Sequence, residues 1–132
     1  MKAVDIALKE VGYSEIPSGT NKTKYGKWFG FDGVAWCGMF VSWCYDKAGI
    51  PLPKIGFSKP GFAGCQSAFA YWKKAGKIVE TPQRGDIVLF DWNKDGRHDH
   101  TGLFDKDLGG GYFQSVEGNT AVGNDSNGGQ VM

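Results

Sequence analysis

The apolar pattern of the chain changes period once, near Pro82, and that change decides which folds are open to it. Before it, apolar residues recur at spacings of three and four, as on one face of a helix. Residues 2–11 do so through Ala3, Ile6, Ala7 and Val11, with Gly12 as the stop. Cys37 to Ala48 do so through Cys37, Phe40, Val41, Cys44 and Ala48, ended by Gly49 and Pro51. A third helix fits about 61–75, through Ala63, Ala68, Tyr71 and Trp72, stopped by Gly76. After Pro82 the apolar runs are short: Asp86 to Phe90, Thr101 to Phe104 and Tyr112 to Glu117 read as strands. Residues 12–36 read as a loop, rich in turn chemistry from Gly12 to Asn21, whose aromatics Tyr25, Trp28, Phe29 and Phe31 need something to pack on. Helices first and strands later, with short connections, predict an α+β fold with N-terminal helices packed on a C-terminal antiparallel sheet. The final residues, Gly128 to Met132, read as a turn and the opening of another strand, so residues 1–132 are expected to be one domain cut from a longer chain near its last strand.

With 132 residues, 41% of them hydrophobic, the chain is the size of one domain with its own core and is not disordered. No apolar run approaches the roughly 18 to 20 residues that cross a bilayer, so no membrane partner is expected. The start carries Asp5, Lys9 and Glu10 where a signal peptide would be apolar, so export, if it occurs, is expected by another route. The net charge of +1 hides an asymmetry: residues 1–74 carry ten Lys against five acids, whereas residues 75–132 carry three Lys and two Arg against nine acids. Only Arg84 and Arg97 are present, and nucleic-acid recognition leans on Arg forks and basic stripes, so nucleic acid is excluded as an expected partner. As a domain the chain is expected to be a monomer.

Three cysteines, Cys37, Cys44 and Cys65, form no C-x-x-C pair. Seven residues along one helix put Cys37 and Cys44 about 10.5 Å apart, beyond the roughly 7 Å that a disulfide spans between Cα atoms. Cys44 and Cys65 read as core residues. Cys37 stands where a loop enters an apolar helix, and there unpaired N–H groups and the helix dipole favour a thiolate, so it reads either as a core residue or as a nucleophile. A thiolate nucleophile needs a base, and the histidines are His98 and His100. His98 lies in polar sequence, whereas His100 opens an apolar run and is the better placed. Ser115-Val116-Glu117-Gly118-Asn119 offers a carboxylate and an amide two residues apart, suited to orienting an imidazole from one face of a strand.

Tyr25-Gly26-Lys27-Trp28, then Trp36-Cys37-Gly38-Met39-Phe40-Val41-Ser42-Trp43-Cys44, Gly85-Asp86-Ile87-Val88, Asp99-His100-Thr101-Gly102 and Glu117-Gly118-Asn119 together resemble a CHAP domain. That family comprises cysteine, histidine-dependent amidohydrolases and peptidases of the papain-like and NlpC-type superfamily. The resemblance spans nearly the whole chain in order. It implies a papain-like fold and a peptidoglycan hydrolase of the kind found in phage endolysins and bacterial autolysins, with Cys37 as nucleophile, His100 as base and Glu117 and Asn119 as orienting groups. It also implies action on the bacterial cell wall, as an N-acetylmuramoyl-L-alanine amidase or a stem or cross-bridge endopeptidase. Many papain-like enzymes place a glutamine in the oxyanion hole; here Trp36 occupies the position before the nucleophile.

The segment Asp91-Trp92-Asn93-Lys94-Asp95-Gly96-Arg97-His98-Asp99 carries oxygen ligands at alternate positions with a glycine after the third, the order of an EF-hand or dockerin calcium loop. Asp91, Asn93, Asp95, the Arg97 carbonyl and Asp99 are the candidate ligands for Ca2+, with Gly102 where the closing Glu would stand. The other reading is an Asx-rich turn. Trp28, Trp36 and Trp92 are candidates to line a substrate cleft. Two further readings are a catalytically silent wall-binding module on the same fold and a zinc site at Cys37, His98 and His100, whose spacing matches no compact zinc pattern.

Overall fold

The computed structural model describes residues 2–91, 98, 100–119 and 129–132. Trp92, Asn93, Asp95, Arg97 and Asp99 therefore lie outside the described residues. Among the described residues, four helices precede three strands: α1 (Ala3–Lys9), α2 (Lys24–Phe29), α3 (Cys37–Lys47), α4 (Cys65–Lys74), β1 (Ile87–Phe90), β2 (His100–Gly109) and β3 (Tyr112–Val116). The strands form one antiparallel sheet in the order β1-β2-β3. The architecture is α+β, as the change of period near Pro82 predicts, and papain-like, as the resemblance implies.

The central helix α3 is buried along most of its length, from Cys37 through Ser42 and again at Cys44. Tyr25 and Phe29 from α2, Ala3, Val4 and Ala7 from α1, and Leu103 and Val116 from the sheet share its core. Ile87, Leu103 and Val116 stand in register across the three strands, which lets one sheet face present a continuous apolar row to the helices.

Four local readings need correction. Residues 12–36 are not all loop, because α2 forms within them. Thr23 caps it, its side chain accepting from the Gly26 N–H, and Gly30 ends it in the left-handed conformation, so six residues suffice to place Tyr25 and Phe29 on one apolar face. The third helix starts at Cys65, not near 61, because Gly61 is engaged elsewhere: its N–H donates to the Pro53 carbonyl and its own carbonyl accepts from Ile55. Tyr71 lies on the exposed side of α4 and not in the core. Trp36 is wholly buried and cannot line a cleft. Its ring stacks on Tyr25 at 5.5 Å, and its indole N–H donates to the buried carboxylate of Glu15 at 2.9 Å. A large ring with one donor is satisfied there by an apolar stack and a single acceptor. The closing residues do act as strand-like chain: Gln130 bridges Ser14, Val131 exchanges hydrogen bonds with Gly12 and Tyr13, and Met132 exchanges two with Glu117.

Candidate active site

Cys37 is the first residue of α3, and no side chain caps that end. The N–H groups of the first helical turn are thereby left to a ligand or to water. His100 is the first residue of β2, fully buried, paired across the ladder with Phe90 and stacked on the Phe90 ring at 6.1 Å. Glu117 follows the last residue of β3, and its Oε1 lies 2.9 Å from His100 Nε2. The Ser115 hydroxyl donates to the other oxygen, Oε2, which fixes the carboxylate from behind.

Close packing makes this geometry possible. A Cβ at Gly102 would stand 2.5 Å from Glu117 Cγ and 2.9 Å from the Val116 carbonyl oxygen, so the glutamate reaches the histidine by crossing a residue without a side chain. A Cβ at Gly118 would meet Phe40 at 2.7 Å, so the chain just after the glutamate can lie flat on α3.

With Nε2 held by Glu117, Nδ1 is the ring nitrogen left for exchange with the Cys37 thiol, which is close enough to act on the titration of His100. Burial disfavours the imidazolium, yet hydrogen bonds and charge from Cys37 and Glu117 outweigh it and push His100 up to about 9. The Cys37 thiol is held well below its ordinary value, first by a hydrogen bond from Cys65 and then, against burial, by His100. Each group thus favours the charged form of the other.

Asn119 is buried, with its backbone at φ 60, and its Oδ1 accepts from the Gly129 N–H at 3.3 Å. Because β3 ends at Val116 and Asn119 is left-handed, the alternation that would put Glu117 and Asn119 on one strand face does not extend to them. His98 is held by α4: its N–H donates to Gln66 Oε1 at 2.9 Å and its ring stacks on Phe69 at 4.1 Å. Among the described residues no three His, Cys, Asp or Glu side chains could hold a metal ion, so Cys37, His98 and His100 are not a zinc site. Trp28 packs half-buried against the core beside Phe29. Asp91 follows β1 directly.

Cys65, which the sequence places among small residues and in the core, has its sulfur 3.9 Å from that of Cys37. Its separation of 28 residues from Cys37 leaves no local spacing that could reveal the pairing. A cavity of about 550 Å3 lies between α4 and the sheet, walled in part by Phe69, Trp72, Leu89, Phe104 and Phe113. Neither Cys37, His100 nor Glu117 borders it.

A thiol at a helix start, an imidazole at a strand start and a carboxylate behind the imidazole, on helices packed against an antiparallel sheet, define the papain-like class of site. The model of the CHAP domain family matches residues 28–119, more than half of the chain. The chain belongs to the CHAP domain family. Neither the curated proteins nor the solved structures contain a match to it. CHAP domains are generally cysteine, histidine-dependent amidohydrolases, and the family implies peptidoglycan as substrate and the cell wall as the place of action. Among the described residues no helix is long and apolar enough to cross a membrane.

Proposed function

We propose that the protein is a cysteine amidohydrolase that cuts an amide bond of bacterial peptidoglycan, with Cys37 as nucleophile, His100 as acid and base and Glu117 as the group that orients the imidazole. The observation that carries this reading is the 2.9 Å contact of Glu117 with His100 Nε2, which leaves the other ring nitrogen for the Cys37 thiol. The thiolate attacks the amide carbonyl, and its sulfur–carbon bond forms as the carbonyl electrons move to oxygen. Backbone N–H groups at the start of α3 hold that oxyanion. His100 then protonates the leaving nitrogen as the carbon–nitrogen bond breaks. Water, deprotonated by His100, hydrolyses the thioester and frees the thiolate. The indole N–H of Trp36 is committed to Glu15, so the residue before the nucleophile offers the oxyanion hole no side-chain donor. Asn119 is assigned as a positioning residue that holds the chain after Glu117 through Gly129.

The bond cut is the muramoyl–L-alanine amide or a peptide bond of the stem or cross-bridge, and the biological role is that of an endolysin catalytic domain. We also assign Ca2+ to the loop from Asp91 to Asp99, on its alternating oxygen ligands. The hairpin pairing of Phe90 with His100 supports a structural part for that ion, because the loop joins these two residues and its shape bears on where the imidazole sits. The deciding test is Cys37→Ala: lysis of purified cell walls is expected to fall by about 10^4-fold or more. Lysis that survives the change rejects the enzyme reading, and mass spectrometry of the products of the native protein identifies the bond.

A further inference from the structure

We infer that Cys65 is a positioning residue of the active site, its thiol donating a hydrogen bond that holds the Cys37 sulfur as a thiolate facing His100. The inference rests on Cys37 being the nucleophile. The two sulfurs are 3.9 Å apart, within hydrogen-bonding reach for sulfur and far beyond the roughly 2.05 Å of a covalent S–S bond. When Cys37 is ionised it has no proton to give, so Cys65 is the donor, and a charged acceptor strengthens such a bond.

The approach is built into the fold. Cys37 and Cys65 are the first residues of α3 and α4, so two helix N-termini meet at the sulfur pair, and both favour negative charge there. The turn before α4 is tied to α3 by the fully buried Ser42. Its hydroxyl donates to the Gly38 carbonyl at 2.8 Å and accepts from the Phe62 N–H at 3.0 Å. Gly38 lets Phe62 close in, since a Cβ there would stand 2.9 Å from the Phe62 ring and carbonyl. The groups facing the Cys37 sulfur are thus Cys65 from α4 and His100 from β2, with Glu117 behind the imidazole. Burial raises a thiol, so a donor besides the histidine gives the anion a second partner in a buried site.

The test is alkylation of Cys37 by iodoacetamide across pH in the full chain, read by peptide mass so that Cys44 and Cys65 are counted separately. Wall lysis is measured in parallel. Cys65→Ala and Cys65→Val both remove the donor, the second while filling the space. Cys65→Ser keeps a donor. The expected result is that the Ala and Val variants move the alkylation midpoint of Cys37 to higher pH. Each unit of that move slows alkylation and lysis about tenfold at a fixed pH below the midpoint. Cys65→Ser stays near the native midpoint. A native midpoint in a folded Ala or Val variant overturns the inference, and so does a Ser variant displaced as far as they are. Lysis that persists in Cys37→Ala would instead reject the nucleophile while leaving the alkylation result standing.

Discussion

The imidazole of His100 is the residue on which the pH behaviour turns. Its pKa of about 9 lies above the ordinary 6.5, so the imidazolium persists through neutral pH and is lost as pH rises through about 9. Its contribution to stability has the same sign, fully present below about 6.5 and gone above about 9. The lowered thiol of Cys37 works in the opposite sense, contributing above its ordinary 9.0 and losing that contribution as pH falls. Activity is therefore expected to hold through neutral pH and to decline above about 9. Glu117→Gln removes the carboxylate that helps raise His100, so the alkaline decline should begin at lower pH, with a reduced plateau. A pH–rate profile of both proteins checks this; coincident alkaline limbs would remove Glu117 from the site's electrostatics.

Strand β2 matters through a residue that has no side chain. Gly102→Ala sets a methyl against both Glu117 and the Val116 carbonyl, so either the carboxylate swings away from His100 or the β2–β3 ladder opens. A displacement of about 1 Å in a catalytic group costs about 100-fold in rate, and overpacking costs about 1–3 kcal/mol. We expect both losses, measured as lysis rate and as urea unfolding; a variant with native activity would mean that Glu117 reaches His100 by another path. The elements themselves were largely legible in the sequence. Helix α3 announces itself by apolar residues at spacings of three and four, and the strands by short apolar runs bounded by turn residues. Helix α2 did not, since six residues are under two turns and no period can show in them; Thr23 and Gly30 were the readable signs. The direction of the Trp36 ring was also hidden, because an indole beside a nucleophile suits a cleft as well as a core and only Glu15, 21 residues earlier in the chain, decides it. Cys37, His100 and Glu117 were readable because each sits where an element begins or ends, which sequence marks better than it marks contacts.

At the scale of the whole molecule, the site is assembled from chain segments far apart in sequence, and its integrity depends on the connections as much as on the core. If the loop from Asp91 to Asp99 binds Ca2+, excess EDTA should lower the melting temperature by several degrees and slow lysis, and added calcium should restore both. A ligand at about 100 times its Kd adds about 2.7 kcal/mol of stability. An unchanged melting temperature and rate in EDTA would dismiss the ion. The other connection runs through residues 129–132. Met132 exchanges two backbone hydrogen bonds with Glu117, while Val131 is stitched to Gly12 and Tyr13 on its far side. Deleting residues 130–132 should therefore cost activity as well as the core packing of the buried Val131, measured as lysis rate and melting temperature. The same stitching makes Met132 a mechanical handle on Glu117: a partner fused there without a spacer would pull on the carboxylate whenever it tugs. A tether meant to leave catalysis undisturbed needs enough slack that its load falls on the spacer and not on this two-bond clasp.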